Sequence, residues 1–324
     1  MPVDSSAPES VSLSRPLQAR WAPQQGKAIA ALRAVVLLAG SVRPTQLRKA
    51  IGRFVLELPV DPQRTILDSW LEQATAVVEY FGLQRLPLRI MIDHATPAPR
   101  RDIPAGPVEA RIERDPLEYR GTGGLLRDLA GQYQEDDLIL VADAAQVLLE
   151  PLAVLVDRLA ATPGDVRILT LPDGTPCGLM LVRCGCLRSI ARIGFVDLKE
   201  QALPAIAREH DVRVARYSRT TGMPIRTLAG YLDALRAYHQ RLRGQGADGG
   251  PPAEEWRPTF SLVESGAVVD PASVIHDSVV LAGGRVEASA VVVRSVVCPG
   301  GWLGPGRFAV DRFVTHSEVR VPTH

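Results

Sequence analysis

The sequence predicts an α/β protein in two parts: a mainly parallel sheet covered by helices on both faces, then a short parallel β-helix. Three observations carry this reading. Short apolar runs alternate with amphipathic stretches over residues 31–243, the pattern of strands joined by crossover helices. Residues 244–258 hold Gly-Gln-Gly-Ala-Asp-Gly-Gly-Pro-Pro, which favours neither helix nor strand and reads as a linker. Over 259–324 apolar residues return at close to six-residue spacing, at Val269, Ile275, Leu281, Val286, Val292, Cys298 and Leu303. Small residues and turn formers lie between them, so one apolar residue per side points inward in a triangular coil. A β-meander with glycine turns is the competing arrangement.

The elements follow in order. Residues 1–30 are rich in Ser, Pro and Gln, hold no signal-peptide core and read as a disordered tail. Arg33 to Leu38 is a buried strand. Arg64 to Phe81 is a helix with Ile66, Leu67, Trp70, Leu71 and Ala74 on one face. Leu88 to Ile92 and Val108 to Ile112 are strands. Gly124 to Gln134 is a helix entered through a glycine turn. Asp137 to Ala142 is a strand, Pro151 to Ala161 a helix, and Val166 to Leu171 and Gly178 to Val182 are strands. The last helix of this part carries Arg236, Arg241 and Arg243, read as a solvated face.

Composition sets limits on function. The chain has 324 residues and 46% hydrophobic side chains, enough for a substantial core. The 37 basic and 36 acidic residues nearly cancel, so no global field recruits nucleic acid or an anionic membrane. No stretch approaches the ~20 apolar residues of a membrane helix. Cys184-Gly-Cys186 is too tight for a zinc knuckle, and Cys177, Cys184, Cys186 and Cys298 read as reduced core thiols of a cytoplasmic protein.

A series of landmarks then points to a family. Ala39-Gly40 opens, and Leu58-Pro59-Val60 closes, a stretch laid out like a glycine-rich signature. Arg120-Gly121-Thr122-Gly123-Gly124-Leu125-Leu126, Ile139-Leu140-Val141-Ala142-Asp143, Cys177-Gly178-Leu179-Met180-Leu181-Val182, Asp197-Leu198 with Leu203-Pro204, and Thr227-Leu228-Ala229-Gly230-Tyr231-Leu232 follow in order. By these segments the chain resembles the sugar-1-phosphate nucleotidyltransferases, typified by mannose-1-phosphate guanylyltransferases and glucose-1-phosphate thymidylyltransferases. The resemblance implies a Rossmann-like (GT-A-like) nucleotidyltransferase domain and a left-handed hexapeptide-repeat β-helix. It places Ala39, Gly40, Gly121, Thr122, Gly123 and Gly124 at the nucleotide, Asp143 at a magnesium ion, and Asp197 on the sugar side.

That chemistry joins a sugar phosphate oxygen to the α-phosphorus of a nucleoside triphosphate and expels pyrophosphate. Bringing two polyanions together demands magnesium on carboxylates and basic side chains at the phosphates. Here the ionic residues depart from the family pattern. The loop Gly40-Ser41-Val42-Arg43-Pro44-Thr45 lacks two glycines, and Thr45 stands where the family has arginine. Side chains obstruct close phosphate approach, and Pro44 removes an amide donor. Arg43 is the one substitute cation in the loop. Val55 takes the place of the family lysine, Pro224 that of the second metal aspartate, and the Glu-Lys-Pro strand is missing between Asp143 and Gly178.

Several residues keep two readings. Asp143 is a lone metal ligand or a solvent-facing strand-end carboxylate. Gly121 to Gly124 contact a nucleotide or make a strand-to-helix turn. Asp197 faces a sugar or caps a helix. The expected function is therefore a nucleotidyltransferase-like protein without turnover. It would bind a nucleotide or nucleotide sugar, or act in regulation or assembly, as a homo-oligomer or beside an active relative. One competing expectation is an active magnesium-dependent enzyme rebuilt around Arg43 and Arg53. Another is a hexapeptide acyltransferase using His276 or His316. His94 and His210 lack ligand spacing and read as surface residues.

Overall fold

The computed structural model describes residues 29–40, 45–97, 99, 103, 106–115, 120–244 and 260–316. All but Ile29 and Ala30 of the expected tail, Arg43 with loop residues 41–44, and nearly all of the expected linker lie outside the described residues; Ile29 is helical and buried in the core, so the folded part starts before residue 31.

The first part is built on strand β1 (Leu32–Leu38). Val35 and Leu37 enter one buried cluster and Ala34 and Val36 another, so both faces of the strand are covered. Helix α1 (Gln46–Ile51) starts on the Thr45 hydroxyl and ends at Gly52. Helix α2 (Ile66–Phe81) begins at a capping box, Thr65 and Asp68 exchanging side-chain-to-backbone hydrogen bonds, and stops at left-handed Gly82. It buries Ile66, Leu67, Trp70, Ala74, Val77 and Val78. Next come β2 (Leu88–Ile92) and β3 (Ala110–Arg114). Helix α3 (Gly121–Ala130) precedes β4 (Leu138–Asp143), the short β5 (Gln146–Leu148) and α4 (Leu152–Ala161). Strands β6 (Val166–Thr170) and β7 (Pro176–Arg183) form a hairpin, and α5 (Cys184–Arg188) follows at once. A π-turn at Leu198–Ala202 runs into α6 (Leu203–Ile206). Strand β8 (Val212–Arg216), the short β9 (Gly222–Pro224) and the long α7 (Leu228–Gly244) complete this part.

These strands make a seven-stranded sheet in the order β3-β2-β1-β4-β7-β6-β8. All but β7 run in one direction; β7 is antiparallel to both β4 and β6. Several expected boundaries move; the helix expected to reach Gln134 ends at Ala130, and the strand expected at Gly178 to Val182 is Pro176–Arg183. The strand expected at Val108 to Ile112 is Ala110–Arg114, and the helix expected from Gly124 starts at Gly121. The glycines form the first turn of that helix because the chain packs too closely there for side chains, as described below.

The second part has three sheets of short parallel strands. They are β10-β13-β16-β19, β11-β14-β17 and β12-β15-β18. In chain order the strands are β10 (Ser261–Val263), β11 (Val268–Val269), β12 (Val274–His276), β13 (Ser278–Val280) and β14 (Arg285–Val286). Then come β15 (Val291–Val293), β16 (Val296–Val297), β17 (Trp302–Leu303), β18 (Phe308–Val310) and β19 (Phe313–Val314). The chain visits the sheets in rotation and returns to each after 17 residues, the interval at which Ser295 N–H donates to Ser278 Oγ and Arg312 N–H to Ser295 Oγ. One corner repeats as Gly266, Gly283 and Gly300, with φ of 90°, 81° and 73°; another repeats as Asp277, Arg294 and Asp311, all at positive φ. This arrangement is compatible with a β-helix.

The inward set differs from the expected one on one side. Val280, Val286, Val292, Val297, Leu303, Ala309 and Val314 form the interior cluster. Leu281 and Cys298, expected inside, point the other way with Val279, Val296 and Leu262 and join the core of the first part. A strand alternates its faces, so a residue beside an apolar inward neighbour points out. Here the outward face is also buried, because it is docked. Arg53 reaches Glu264 at 2.9 Å, Arg236 reaches Asp277 at 3.0 Å, and His239 stacks on Phe260. Of the arginines expected on a solvated face of α7, Arg236 is ion-paired as above and Arg241 to the buried Glu150, while the side chain of Arg243 lies outside those described.

Candidate functional site

The carboxyl ends of β1, β2 and β4 and the amino end of α3 converge on one rim, the place where open α/β sheets bind ligands. Strand β4 delivers Asp143. Its Oδ1 accepts the Ala145 N–H at 3.1 Å, and its Oδ2 is ion-paired to the guanidinium of Arg226. Arg226 comes from the segment after β9, and β9 is held against β5 through the pairs Gln146 to Pro224 and Leu148 to Gly222. Gln146 also donates to the Asp143 carbonyl at 2.9 Å. Gly178, at φ 72°, passes so close that a Cβ would stand 3.2 Å from that of Asp143.

Strand β2 delivers Asp93. Arg48 of α1 grips its two oxygens at 3.2 Å each, and Thr96 donates to it at 2.8 Å. Arg114 is spent on the carbonyls of Asp93 and His94, at 2.8 Å each. Arg120 pairs with Asp115 at 2.7 Å and also with Asp128. Along this rim the described arginines are matched to the protein's own acceptors.

The expected nucleotide contacts lie along the same rim, turned inward. Ala39 donates its N–H to the Met91 carbonyl at 2.9 Å. A Cβ on Gly40 would stand 2.7 Å from the Asp93 nitrogen, so glycine is needed there for packing. Gly121 has φ 67°, and a Cβ on it would meet the Val196 carbonyl oxygen at 2.4 Å. That same oxygen accepts the Gly123 N–H at 2.9 Å, while the Thr122 hydroxyl accepts the Leu198 N–H at 3.2 Å. The amides that could attract an anion at this helix start are partly consumed by the chain itself. Asp197 caps the π-turn, accepting the N–H groups of Lys199 at 2.7 Å and Glu200 at 2.9 Å.

Of the two positions at which the resemblance expects magnesium ligands, one carries a carboxylate. The ion prefers several oxygen ligands in octahedral geometry. Asp143 supplies one carboxylate already neutralised by Arg226, and Pro224 supplies none.

Other expected residues fall elsewhere. Arg53 is buried; it donates to the Glu57 carbonyl at 3.1 Å and pairs with Glu264, so it does not reach the rim. His276 is exposed, its carbonyl accepting the Ser278 hydroxyl. His316 packs over Gly300, where a Cβ would overlap its ring. Arg48, Asp93 and Arg226 were not singled out from sequence, although Asp93 directly follows a strand, the position where ligand-facing groups gather. A cavity of about 730 Å³ opens beside the edge strand β3, lined by Arg85, Arg89, Glu109, Arg111 and Glu113 among others. Its charges are paired too: Glu113 holds the Arg89 guanidinium above its ordinary pKa, and Arg85 pairs with Glu109.

No family model and no curated protein matches the chain. Its coordinates are similar to HddC from Yersinia pseudotuberculosis complexed with GMP-PN, at 14% identity and TM-score 0.45, over 64% of this chain and 99% of that one. They are similar to a homologue of Mycobacterium tuberculosis rv0371c from Mycobacterium sp. strain JC1, at 16% identity and TM-score 0.45, over 66% and 98%. A putative glucose-1-phosphate thymidylyltransferase from Bacillus anthracis, in complex with a sucrose, matches at 12% identity and TM-score 0.45, over 68% and 98%. Likeness at this level assigns neither a family nor an activity.

Proposed function

We propose that this chain is a sugar nucleotidyltransferase-like protein that performs no nucleotidyl transfer and acts in assembly or regulation, either as a homo-oligomer or beside an active relative. The observation that carries the reading is the Arg226–Asp143 ion pair. At the one rim carboxylate matching a metal position of the resembled family, the protein presents its own cation. A guanidinium neutralises the acid yet cannot polarise a phosphoryl oxygen as a divalent ion does. The inward-turned glycines at 121–124 support the same reading, since a phosphate would compete with the Val196 carbonyl for the Gly123 amide. Any retained nucleotide contact falls to the base or ribose.

The second part, on this reading a left-handed hexapeptide-type β-helix, supports assembly. Sheet β12-β15-β18 turns Val274, Val291 and Phe308 outward in register, and Phe308 is 67% exposed. A ladder of apolar side chains on a flat sheet face is a surface that association would cover.

Pyrophosphate release measured with magnesium, over a panel of triphosphates and sugar phosphates, tests the proposal. The expected result is no turnover above background. Robust turnover that Asp143→Ala abolishes overturns it. Sedimentation of wild type against Phe308→Glu tests the assembly role, with a drop in mass expected for the variant. A thermal-shift screen with nucleotides and nucleotide sugars reports whether a binding pocket persists.

A further inference from the structure

The opposite end of the same sheet holds a different kind of cluster. Asp165 immediately precedes β6, Cys186 lies in α5, and His210 lies between α6 and β8. A carboxylate oxygen, a thiol sulfur and an imidazole nitrogen from these residues all lie within 4.8 Å of one another. We propose that Asp165, Cys186 and His210 form a binding site for a divalent transition metal, with zinc the ion they suit best.

The backbone fixes each ligand where it stands. Asp165 donates its N–H to the Asp211 carbonyl at 2.8 Å and accepts the Arg183 N–H at 2.9 Å, so it is pinned between the start of β8 and the end of β7. Helix α5 turns back over this end because Cys184 N–H meets the Asp137 carbonyl at 2.8 Å and Gly185 N–H the Glu135 carbonyl at 2.9 Å. His210 is tied to Ile206 by a backbone hydrogen bond of 2.9 Å. Three segments remote in sequence thus present three ligands from anchored main chain. Zinc bonds of about 2.0–2.3 Å place tetrahedral ligand atoms roughly 3.3–3.8 Å apart. A contraction of about 1.5 Å or less closes the cluster on an ion.

Ligand chemistry selects the metal class. Sulfur and imidazole nitrogen disfavour magnesium and calcium, and a mixed S, N, O set suits zinc. A thiolate and a carboxylate carry two negative charges, which a divalent ion balances. As the sulfur–metal bond forms, the thiol proton leaves to solvent. One carboxylate oxygen of Asp165 accepts the Asp211 N–H at 3.1 Å, an outer hydrogen bond of the kind that orients metal ligands. The other faces Arg183 Nε at 3.0 Å, but that nitrogen is buried and out of line for a hydrogen bond. Arg183 also reaches Asp136 at 3.3 Å, so it keeps a partner when the ion takes Asp165. Three protein ligands leave a fourth position for water.

Cobalt(II) titration of the full chain, stripped with chelator, is the test. The expected result is a thiolate-to-cobalt charge-transfer band with tetrahedral visible bands, saturating at one ion per chain and displaced by zinc. His210→Gln changes a half-buried side chain and keeps the fold measurable by circular dichroism. It should weaken zinc binding by at least about 100-fold, beyond what loss of an outer-shell partner brings. Cys184→Ala should keep the band. Absence of a charge-transfer band in the wild-type protein overturns the proposal, as does a band that His210→Gln leaves intact.

Discussion

The two ends of the seven-stranded sheet use similar side chains to different effect. At the carboxyl end, Asp93 and Asp143 each face an arginine of the same chain, and one amide of the helix that could receive an anion is taken by a carbonyl of its own fold. At the amino end, Asp165, Cys186 and His210 approach one another with Arg183 beside them and Arg167 within electrostatic reach of Asp165. The first end resembles a ligand site in outline and is spent on internal packing. The second has no outline in the sequence and brings together donors of three chemical types. Position at a strand end therefore does not make a site. What separates the two ends is donor chemistry: carboxylates facing arginines at one, a thiol and an imidazole gathered beside Asp165 at the other.

If the buried arginine serves structure, Arg53→Ala should destabilise the fold by about 3–5 kcal/mol in denaturant unfolding, because it leaves Glu264 without its cation. A small change would free Arg53 for a ligand role. Next, Gly121→Ala should cost roughly 2–3 kcal/mol, since it adds a Cβ at φ 67° against the Val196 oxygen. Tolerance there would show slack that a nucleotide could use.

At the other end, burial and the nearby Asp137 push the Cys184 thiol up to about 12. Above pH ~8.5 the unfolded thiol ionises while the folded one stays protonated. The unfolded chain then binds fewer protons than the native one, so stability falls as pH rises, by up to about 1.4 kcal/mol per unit. Melting curves between neutral and alkaline pH should show that slope, and Cys184→Ala should reduce it, the remainder coming from Cys177 and Cys186, which burial also raises. The smallest effect belongs to Arg226→Ala, where the arginine is 57% exposed; less than about 1 kcal/mol is expected. A large loss would mean that the ion pair holds β9 in place as well as neutralising Asp143.

Much of the architecture was legible. The strand at Leu88–Ile92 matches its expected limits, and the helix ending at Phe81 follows from its apolar stripe and its caps. The near-six-residue spacing corresponds to the 17-residue return of the chain. The one-residue error at Leu281 and Cys298 has a clear cause. Val279 to Leu281 and Val296 to Cys298 are apolar throughout, and period alone cannot tell which face of a doubly buried strand points inward. The Gly121–Gly124 turn was legible as a turn, whereas the carbonyl that fills it comes from Val196, far along the chain. His210 read as a surface histidine because its partners lie 45 and 24 positions away in Asp165 and Cys186.

The alternation of elements, the change of period near residue 260, and the presence of Thr45, Val55 and Pro224 where the resemblance expects ionic residues were readable from the sequence alone. Those features are local: they rest on torsions, periodicity and the identity of single side chains. Only the tertiary structure decided which charges meet. It set Arg226 on Asp143, Arg53 on Glu264, and Cys186 beside His210. The physical reason is that an ion pair or a ligand set depends on distances of a few ångströms between residues whose separation along the chain carries no information about their separation in space.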